Sequence, residues 1–174
     1  MKNIEDAREF HMNRSVLYSL VLLLMLGLIF SLTGCGSKNS VSLASLEKDM
    51  LAADTSLPEM KTVNNKSEDA EGLFSYLSDT AYKKIDAFFL SYSAEGLADE
   101  IAVVRVKKAN DVTEVADSLN THIENRKNLF RSYNKDQLER AEKAVLFTNG
   151  KDVVLIISDN PSLVKGAYEK AKTE

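Results

Sequence analysis

The longest apolar segment of the chain is near its start, at residues 16–30, where only Tyr18, Ser19 and Gly27 interrupt it. The hydrophobic region of a secretory signal peptide spans about 7–15 residues, whereas a membrane-spanning helix needs roughly 20. This segment is at the top of the first range. It predicts a signal peptide, and a retained signal anchor is the alternative.

The clearest helix is predicted at residues 111–133. Asn110 or Asp111 is placed to cap it, and Glu114 is placed to complete a capping box. The apolar positions of this segment recur at helical spacing and share one face. They are Val112, Val115, Leu119, Ile123, Phe130 and Tyr133.

Other segments with helical spacing are shorter. A first helix is predicted at residues 45–53, and short helical segments at 70–77 and 136–143. The last helix is predicted to begin with Asn160 as N-cap and Pro161 at its first position. Its predicted buried face consists of Leu163, Val164, Ala167, Tyr168 and Ala171.

Strand patterns occur in two pairs. Residues 84–93 and 100–107 are rich in β-branched and aromatic side chains, and the short link between them favours an antiparallel pair. Residues 144–148 and 152–158 flank Asn149-Gly150-Lys151. Asn-Gly between apolar runs predicts a hairpin, because both residues accept positive φ.

The order α-ββα-ββα predicts an α+β fold. An antiparallel sheet of about four strands, with helices mainly on one face, would form a two-layer sandwich. Residues 58–68 are left outside the sheet, as extended chain or loop.

The strand at 84–93 is apolar on both faces. Alternation places Ile85, Ala87 and Phe89 on one face, and the second face contains Phe88, Leu90 and Tyr92. Either the helix at residues 43–53 covers the face that the other helices leave open, or that face is an interaction surface.

Leu32-Thr33-Gly34-Cys35 directly follows the first apolar segment and has the pattern of a bacterial lipobox. Thr33 and Gly34 supply the small side chains that a signal peptidase needs, and Cys35 supplies a nucleophilic sulfur. The sequence predicts cleavage between Gly34 and Cys35 and acylation of Cys35 with chains such as palmitate. Two or more acyl chains give stable anchoring. The alternative is a chance cysteine after an uncleaved transmembrane helix.

These features predict three regions. Residues 1–34 would be a lipoprotein signal peptide, residues 35–42 a tether, and residues 43–174 a single extracytoplasmic domain anchored to the cell membrane. Acidic residues outnumber basic ones before Met12, whereas a signal peptide opens with a basic region. We therefore hypothesise that translation starts at Met12.

Charge and cysteine content narrow the class of protein. The formal net charge is −4, and no basic stripe indicates nucleic acid as a partner. Cys35 is the only cysteine, so its lipidation would leave none for a disulfide. An exported domain of this kind depends on its hydrophobic core for stability.

Candidate chemical groups are few. His11 and His122 are the only histidines, and the predicted cleavage site separates them, so no metal site is expected. His122 adjoins the apolar stripe of its helix. It is interpreted as a partly buried residue at the edge of the core, with a catalytic or pH-sensing role as the alternative.

Most carboxylates are interpreted as solvated groups or helix caps, with a glycosidase-like pair as the alternative. The Asp99-Glu100 pair precedes a strand and could equally be ordinary loop charge. The carboxylates include Asp79, Asp86, Asp99, Glu100 and Asp111. No Gly-x-Ser-x-Gly elbow and no glycine-rich phosphate loop occurs. No catalytic residue, cofactor or metal ligand is predicted, and the chain is not expected to be an enzyme.

Several features from about Asp99 to Lys172 are similar to one family. They are Asp99-Glu100-Ile101-Ala102-Val103 opening a strand, a long helix ending in Phe130-Arg131-Ser132-Tyr133, and Ala144-Val145 leading into an Asn-Gly hairpin and a terminal helix. With the lipobox and the length, they resemble an uncharacterised bacterial lipoprotein family, domain-of-unknown-function family 4358. The resemblance implies a membrane-anchored extracytoplasmic domain and implies no catalytic residue.

The expected function is that of a membrane-anchored binding or protein-interaction module. Its partners would be the membrane, through the lipid on Cys35, and an envelope protein. A cell-envelope-acting enzyme and a small solute-binding lipoprotein are the alternatives. An enzyme would require a deep pocket where His122 or paired carboxylates converge.

Overall fold

Five antiparallel strands form one open sheet in the computed structural model, which describes residues 41–173. The strands are β1 (Met60–Asn64), β2 (Ile85–Ser93), β3 (Glu100–Val106), β4 (Val145–Asn149) and β5 (Asp152–Ile157). Their order across the sheet is β1-β2-β3-β5-β4. The helices are α1 (Leu43–Ala53), α2 (Ala70–Ser75), α3 (Val112–Arg131), α4 (Lys135–Glu142) and α5 (Pro161–Ala171).

The edge strand β1 corrects the predicted four-stranded sheet. It lies within the segment predicted as extended chain or loop, and it pairs with β2 from Met60 opposite Ser93 to Asn64 opposite Phe89. None of its five residues is fully buried. A short, half-buried edge strand has no strong alternation of apolar and polar residues, so the pattern did not reveal it.

Helices cover both faces of the sheet, so the predicted two-layer sandwich with helices mainly on one face is wrong. One apolar core lies between the sheet and α2, α3 and α4, and a second lies between the sheet and α1 and α5. The domain is therefore a three-layer α/β/α sandwich with an antiparallel sheet. Helix α1 covers the second face, as one of the two predicted alternatives stated, and α5 packs beside it.

A β-bulge alters the predicted faces of β2. The register with β3 shifts between Ile85 and Ala87, so an extra residue interrupts the alternation. Ile85 therefore belongs to the same core as Phe88 and Leu90, whereas Phe89 faces α1 and α5. A one-residue shift moves a side chain to the opposite face.

The β4–β5 hairpin is confirmed, but its turn lies one residue later than predicted. Asn149 pairs with Asp152, so Gly150 and Lys151 form the loop. Gly150 has φ +60°, and among the described residues no residue other than glycine has a positive φ. A positive φ at the first loop position alone is the pattern of a type II′ turn.

The helix ends differ from the prediction in detail. A 3₁₀ turn precedes α3, and Asp111 makes no capping hydrogen bond through its side chain. Asn160 occupies the N-cap of α5 but instead donates to Asp54 through its backbone N–H and Nδ2. Tyr133 and Leu163 are exposed rather than buried.

None of the helices between residues 41 and 173 combines the length and hydrophobicity that crossing a membrane requires. The predicted signal peptide, Gly34 and Cys35 lie outside the described residues.

Candidate functional site

A cleft of about 600 Å³ opens between α2, α3 and the β1–β3 side of the sheet. Most of its wall is apolar, and five elements or their connections contribute to it. The apolar and aromatic lining residues are Val63, Leu73, Tyr76, Leu90, Tyr92, Leu97 and Leu129. Ligand-binding clefts of proteins commonly have a volume in this range and a mostly apolar lining.

Two of the lining side chains are unusually exposed for their size. Tyr76, directly after α2, is 78% exposed, and Leu129 on α3 is 50% exposed. Only two other large hydrophobic side chains of the described chain are exposed, Leu163 at 56% and Tyr133 at 64%. Neither of those lines the cleft. Large exposed apolar groups beside a concave surface are typical of binding sites.

The main polar feature of the cleft is a cluster of Glu100, His122 and Arg126. Glu100 is buried, and its Oε2 lies 2.6 Å from Nε2 of His122. Its Oε1 lies 2.9 Å from Nε of Arg126, although that N–H is not aligned for a hydrogen bond. An ionised carboxylate only accepts, so His122 donates to it through Nε2.

Backbone geometry explains why these three residues meet. Glu100 is the first residue of β3 and pairs with Tyr92 and Ile157 at one end of the sheet. His122 and Arg126 are four residues apart on α3 and therefore share a helix face. Arg126 also donates through Nη2 to the carbonyl oxygen of Leu97, at 2.8 Å, which fixes the loop beside Glu100.

A hydroxyl network holds the chain after α2 against α3. Ser118 Oγ donates to Oδ1 of Asp79 at 2.5 Å and accepts from Ser78 Oγ at 2.8 Å. The backbone N–H of Asp79 also donates to Ser118 Oγ, at 3.0 Å. Ser118 lies one helical turn before His122, so this network fixes the segment that carries Tyr76 beside the cleft.

The other carboxylates that the sequence analysis singled out lie outside the cleft. Asp86 is exposed, and Asp111 forms an ion pair with Lys84 at 3.7 Å. Asp99 is buried and pairs with Nη1 of Arg140 at 2.6 Å. Burial raises the pKa of Asp99, although Arg140 opposes the change. Asp99 and Glu100 are therefore both buried, and each lies against different basic side chains, so neither is ordinary loop charge.

His122 lies at the edge of the core, as its position beside the apolar stripe indicated. Its grouping with Glu100 and Arg126 was not predicted. The i, i+4 spacing of His122 and Arg126 is visible in the sequence, but their common partner belongs to a strand. The exposure of Tyr76 and Leu129 depends on tertiary packing and has no signal in the pattern.

The cluster is suited to orienting a ligand by hydrogen bonding and shape. Within residues 41–173, Glu100 is the only side-chain hydrogen-bond partner of His122, so no hydroxyl nucleophile is paired with the imidazole. The same residues contain no group of three or more His, Cys, Asp or Glu side chains placed to hold a metal ion. The cleft therefore combines an apolar wall with one fixed polar cluster.

The fold and the cleft together define an α/β/α sandwich domain with a pre-formed apolar site. A family model described as Domain of unknown function (DUF4358) matches residues 59–158, more than half of the chain. The chain belongs to this family, which confirms the resemblance as far as the domain of unknown function is concerned. Neither a curated protein nor a solved structure matches the chain.

The matched segment begins before β1 and ends before α5, so it starts earlier than the resemblance seen in the sequence. It contains all five strands, α2, α3 and α4. Every residue that lines the cleft lies within it, whereas α1 and α5, which cover the other face, do not.

Proposed function

We propose that this protein is a membrane-anchored extracytoplasmic lipoprotein that acts as a binding module. The cleft between α2, α3 and the β1–β3 side of the sheet would accept an apolar segment of an envelope protein. The observation that carries this proposal is the apolar cleft, with exposed Tyr76 and Leu129 beside a fixed polar cluster.

The lipobox at Leu32-Thr33-Gly34-Cys35 supports the anchoring part of the proposal. Removal of residues 1–34 would leave Cys35 as the acylated first residue of the mature chain. Two or three acyl chains on this residue would hold the domain at the outer face of the cytoplasmic membrane.

The charge balance of the cleft supports an apolar rather than a charged ligand. Arg126 and His122 both lie against the Glu100 carboxylate, so the negative charge is compensated inside the site. A partner would then gain affinity by burying apolar surface against Tyr76 and Leu129, at about 25 cal/mol per Å². The polar cluster would select its orientation.

The test compares two exposed leucines on helices of the full-length protein. Leu129→Asp places a charge in the cleft, whereas Leu163→Asp places the same charge at a similarly exposed position outside it. Chemical cross-linking in intact cells, followed by quantitative mass spectrometry, measures the captured partner. We expect Leu129→Asp to lower its yield at least tenfold, because a charge in an apolar contact costs more than about 1.4 kcal/mol.

Leu163→Asp is the control for the binding role of the cleft, and Cys35→Ala tests the lipid anchor. Leu163→Asp should leave the captured yield unchanged, and equal losses in both leucine variants would contradict a binding role of the cleft. Cys35→Ala should remove the palmitate label. A palmitate label that persists without Cys35 would contradict the lipid anchor.

A small solute is a second candidate ligand, because about 600 Å³ is also within the usual range for small-molecule sites. Native mass spectrometry of the protein purified from its membrane distinguishes the two ligands. A retained small molecule that Leu129→Asp releases would favour solute binding over a protein partner.

An envelope-acting enzyme is the third candidate, favoured by the 2.6 Å contact between His122 and Glu100 inside the cleft. Glu100 would then orient the imidazole, and His122 would act as a general base. His122→Gln should abolish turnover of peptidoglycan fragments if this reading is right. A binding module would show no turnover in either protein.

A further inference from the structure

Four exposed lysines converge at one end of the sheet, opposite the end where β3 begins. They are Lys83, Lys107, Lys108 and Lys151, and we call this group the lysine end. Hydrogen bonds show that they adjoin one another. Nζ of Lys107 donates to the carbonyl oxygen of Lys83 at 2.9 Å, and Nζ of Lys151 donates to that of Lys107 at 2.8 Å.

The positive charge of the lysine end is largely uncompensated. Within residues 41–173 none of its four ammonium groups forms an ion pair with a carboxylate. Nearby acids are engaged elsewhere, because Asp111 and Glu114 pair with Lys84, and Asp152 pairs with Arg105 and Lys172. Of the exposed carboxylates in this neighbourhood, Glu114 pairs with Lys84, and Asp86 interacts electrostatically with Arg105.

The chain enters the described domain at the lysine end. Nη1 of Arg105 donates to the carbonyl oxygen of Val41 at 3.1 Å. Arg105 is also held by Asp152, at the first position of β5 and next to Lys151. The first described residue is thus tied to the end of the sheet where the four lysines gather.

Chain length places this end close to the proposed lipid. Only residues 36–40 separate Cys35 from Val41. At about 3.5 Å per residue, a fully extended chain spans at most about 20 Å between these two residues. A lipid on Cys35 therefore keeps the lysine end within reach of the headgroups of the bilayer.

We propose that the lysine end binds the anionic headgroups of the membrane and orients the domain with the cleft directed away from the bilayer. This inference rests on the proposed lipid anchor at Cys35. Each lysine near an anionic surface adds roughly a fivefold gain in binding. Glu100 is the first residue of β3, and Arg105 is near the other end of this strand. The cleft cluster around Glu100 therefore lies about 17 Å from Arg105 along the strand, on the side away from the bilayer.

The test measures which end of the anchored protein approaches the lipid. The full chain is expressed, purified as the lipoprotein and reconstituted in vesicles of phosphatidylcholine, with or without phosphatidylglycerol. A thiol-reactive fluorophore is attached either at the lysine end, through Asn149→Cys, or beyond α3, through Ser132→Cys. Nitroxide-labelled headgroups quench a fluorophore that lies near them. An acylated Cys35 does not react with the label, so a second labelled site reports a missing anchor.

Two sets of lysine variants provide the comparison, with the same change in net charge. The test set converts the lysine end to Lys83→Gln, Lys107→Gln, Lys108→Gln and Lys151→Gln. The control set replaces four exposed lysines elsewhere, as Lys48→Gln, Lys61→Gln, Lys135→Gln and Lys143→Gln. The pair Lys83→Gln and Lys108→Gln is a milder test, because it leaves the two lysine–carbonyl hydrogen bonds intact.

In vesicles with phosphatidylglycerol, we expect stronger quenching at position 149 than at position 132. The difference should disappear in the test set, in pure phosphatidylcholine and at high salt, which shortens the screening length. The control set should retain it. Equal quenching at both positions, or a difference that the test set retains, overturns the orientation while the anchor stands. Protein that does not float with vesicles, or that is labelled at Cys35, overturns the anchor and the orientation together.

Discussion

Four buried carboxylates occur in the described part of the chain, and different groups stabilise each of them. They are Asp54, Asp99, Glu100 and Asp152. Arg140 pairs with Asp99, Arg126 and His122 with Glu100, and Arg105 with Asp152. The sequence does not reveal these pairs, because hydropathy at one position contains no information about a partner far along the chain. A buried charge is tolerated only where such a partner exists.

Asp54 shows how hydrogen bonds stabilise a buried charge. Burial alone would raise its pKa, but donors from Ser56 and Asn160 lower it from 3.8 to about 2. A depressed pKa in the folded state means that the stabilisation is complete above the unfolded value and is lost as the pH falls toward 2. We expect Asp54→Asn to lower the free energy of unfolding by about 2 kcal/mol at neutral pH, measured by urea denaturation.

The pH dependence makes this prediction specific. The difference between Asp54→Asn and the wild type should shrink between about pH 4.5 and 2 and nearly vanish near pH 2. Asp49→Asn, at an exposed position of α1, should show no such dependence. If Asp54→Asn lowers the free energy of unfolding by the same amount at every pH, the charge of Asp54 does not contribute to stability.

Asp99 is predicted to respond to pH with the opposite sign. Burial raises its pKa above the usual value, so ionisation of Asp99 costs stability as the pH rises, and Arg140 limits that cost. Arg140→Met leaves the carboxylate buried without its partner. We expect a loss of about 3 kcal/mol in the free energy of unfolding at pH 7 and a smaller loss at pH 4.

Two further variants distinguish the buried ion pair of Arg140 with Asp99 from its exposed ion pair with Asp159. Arg140→Met combined with Asp99→Asn should recover most of the lost stability, because no buried charge then remains. Asp159→Asn removes the exposed partner of Arg140 and should cost less than about 1 kcal/mol. If Asp159→Asn costs as much as Arg140→Met, Asp99 is not the group that Arg140 stabilises.

At the level of elements, strong periodic patterns are sufficient to predict a helix or strand, and weak patterns are not. The long helix α3, strands β2 and β3 and the β4–β5 hairpin all follow from regular apolar spacing. Strand β1 was missed because it is a short edge strand, and Ile85 was assigned to the wrong face because a bulge interrupts β2. The hairpin turn was misplaced by one residue because Asn149 remains in the strand.

Two glycines offer a matched test of the turn. Gly150 has φ +60°, which a residue with a Cβ adopts at a cost, whereas Gly166 lies within α5. An added Cβ meets no atom within 4 Å at either position. Thermal or urea unfolding should show a loss of about 1 kcal/mol for Gly150→Ala. Gly166→Ala should instead gain about 0.5–1 kcal/mol, because alanine favours the helix. A gain in both variants would contradict the positive φ of Gly150.

At the scale of the whole molecule, neither the number of layers nor the cleft can be predicted from the sequence pattern. Strand β5 is buried along its whole length on both faces, which indicates a covered central strand, but the covering helices follow from packing. The cleft combines residues from Val63 to Leu129. Glu100 and His122 stand out separately in the sequence, and the fold brings them together beside the apolar wall.

An envelope partner is proposed to contact the apolar cleft of the anchored protein. The most direct measurement places a photoreactive amino acid at position 129 in the cleft, or at the similarly exposed position 163, in full-length protein in intact cells. We expect one specific protein adduct from position 129, joined through an apolar segment of the captured protein. Position 163 should give none. Equal adducts from both positions, or an adduct from position 163 alone, would contradict the claim.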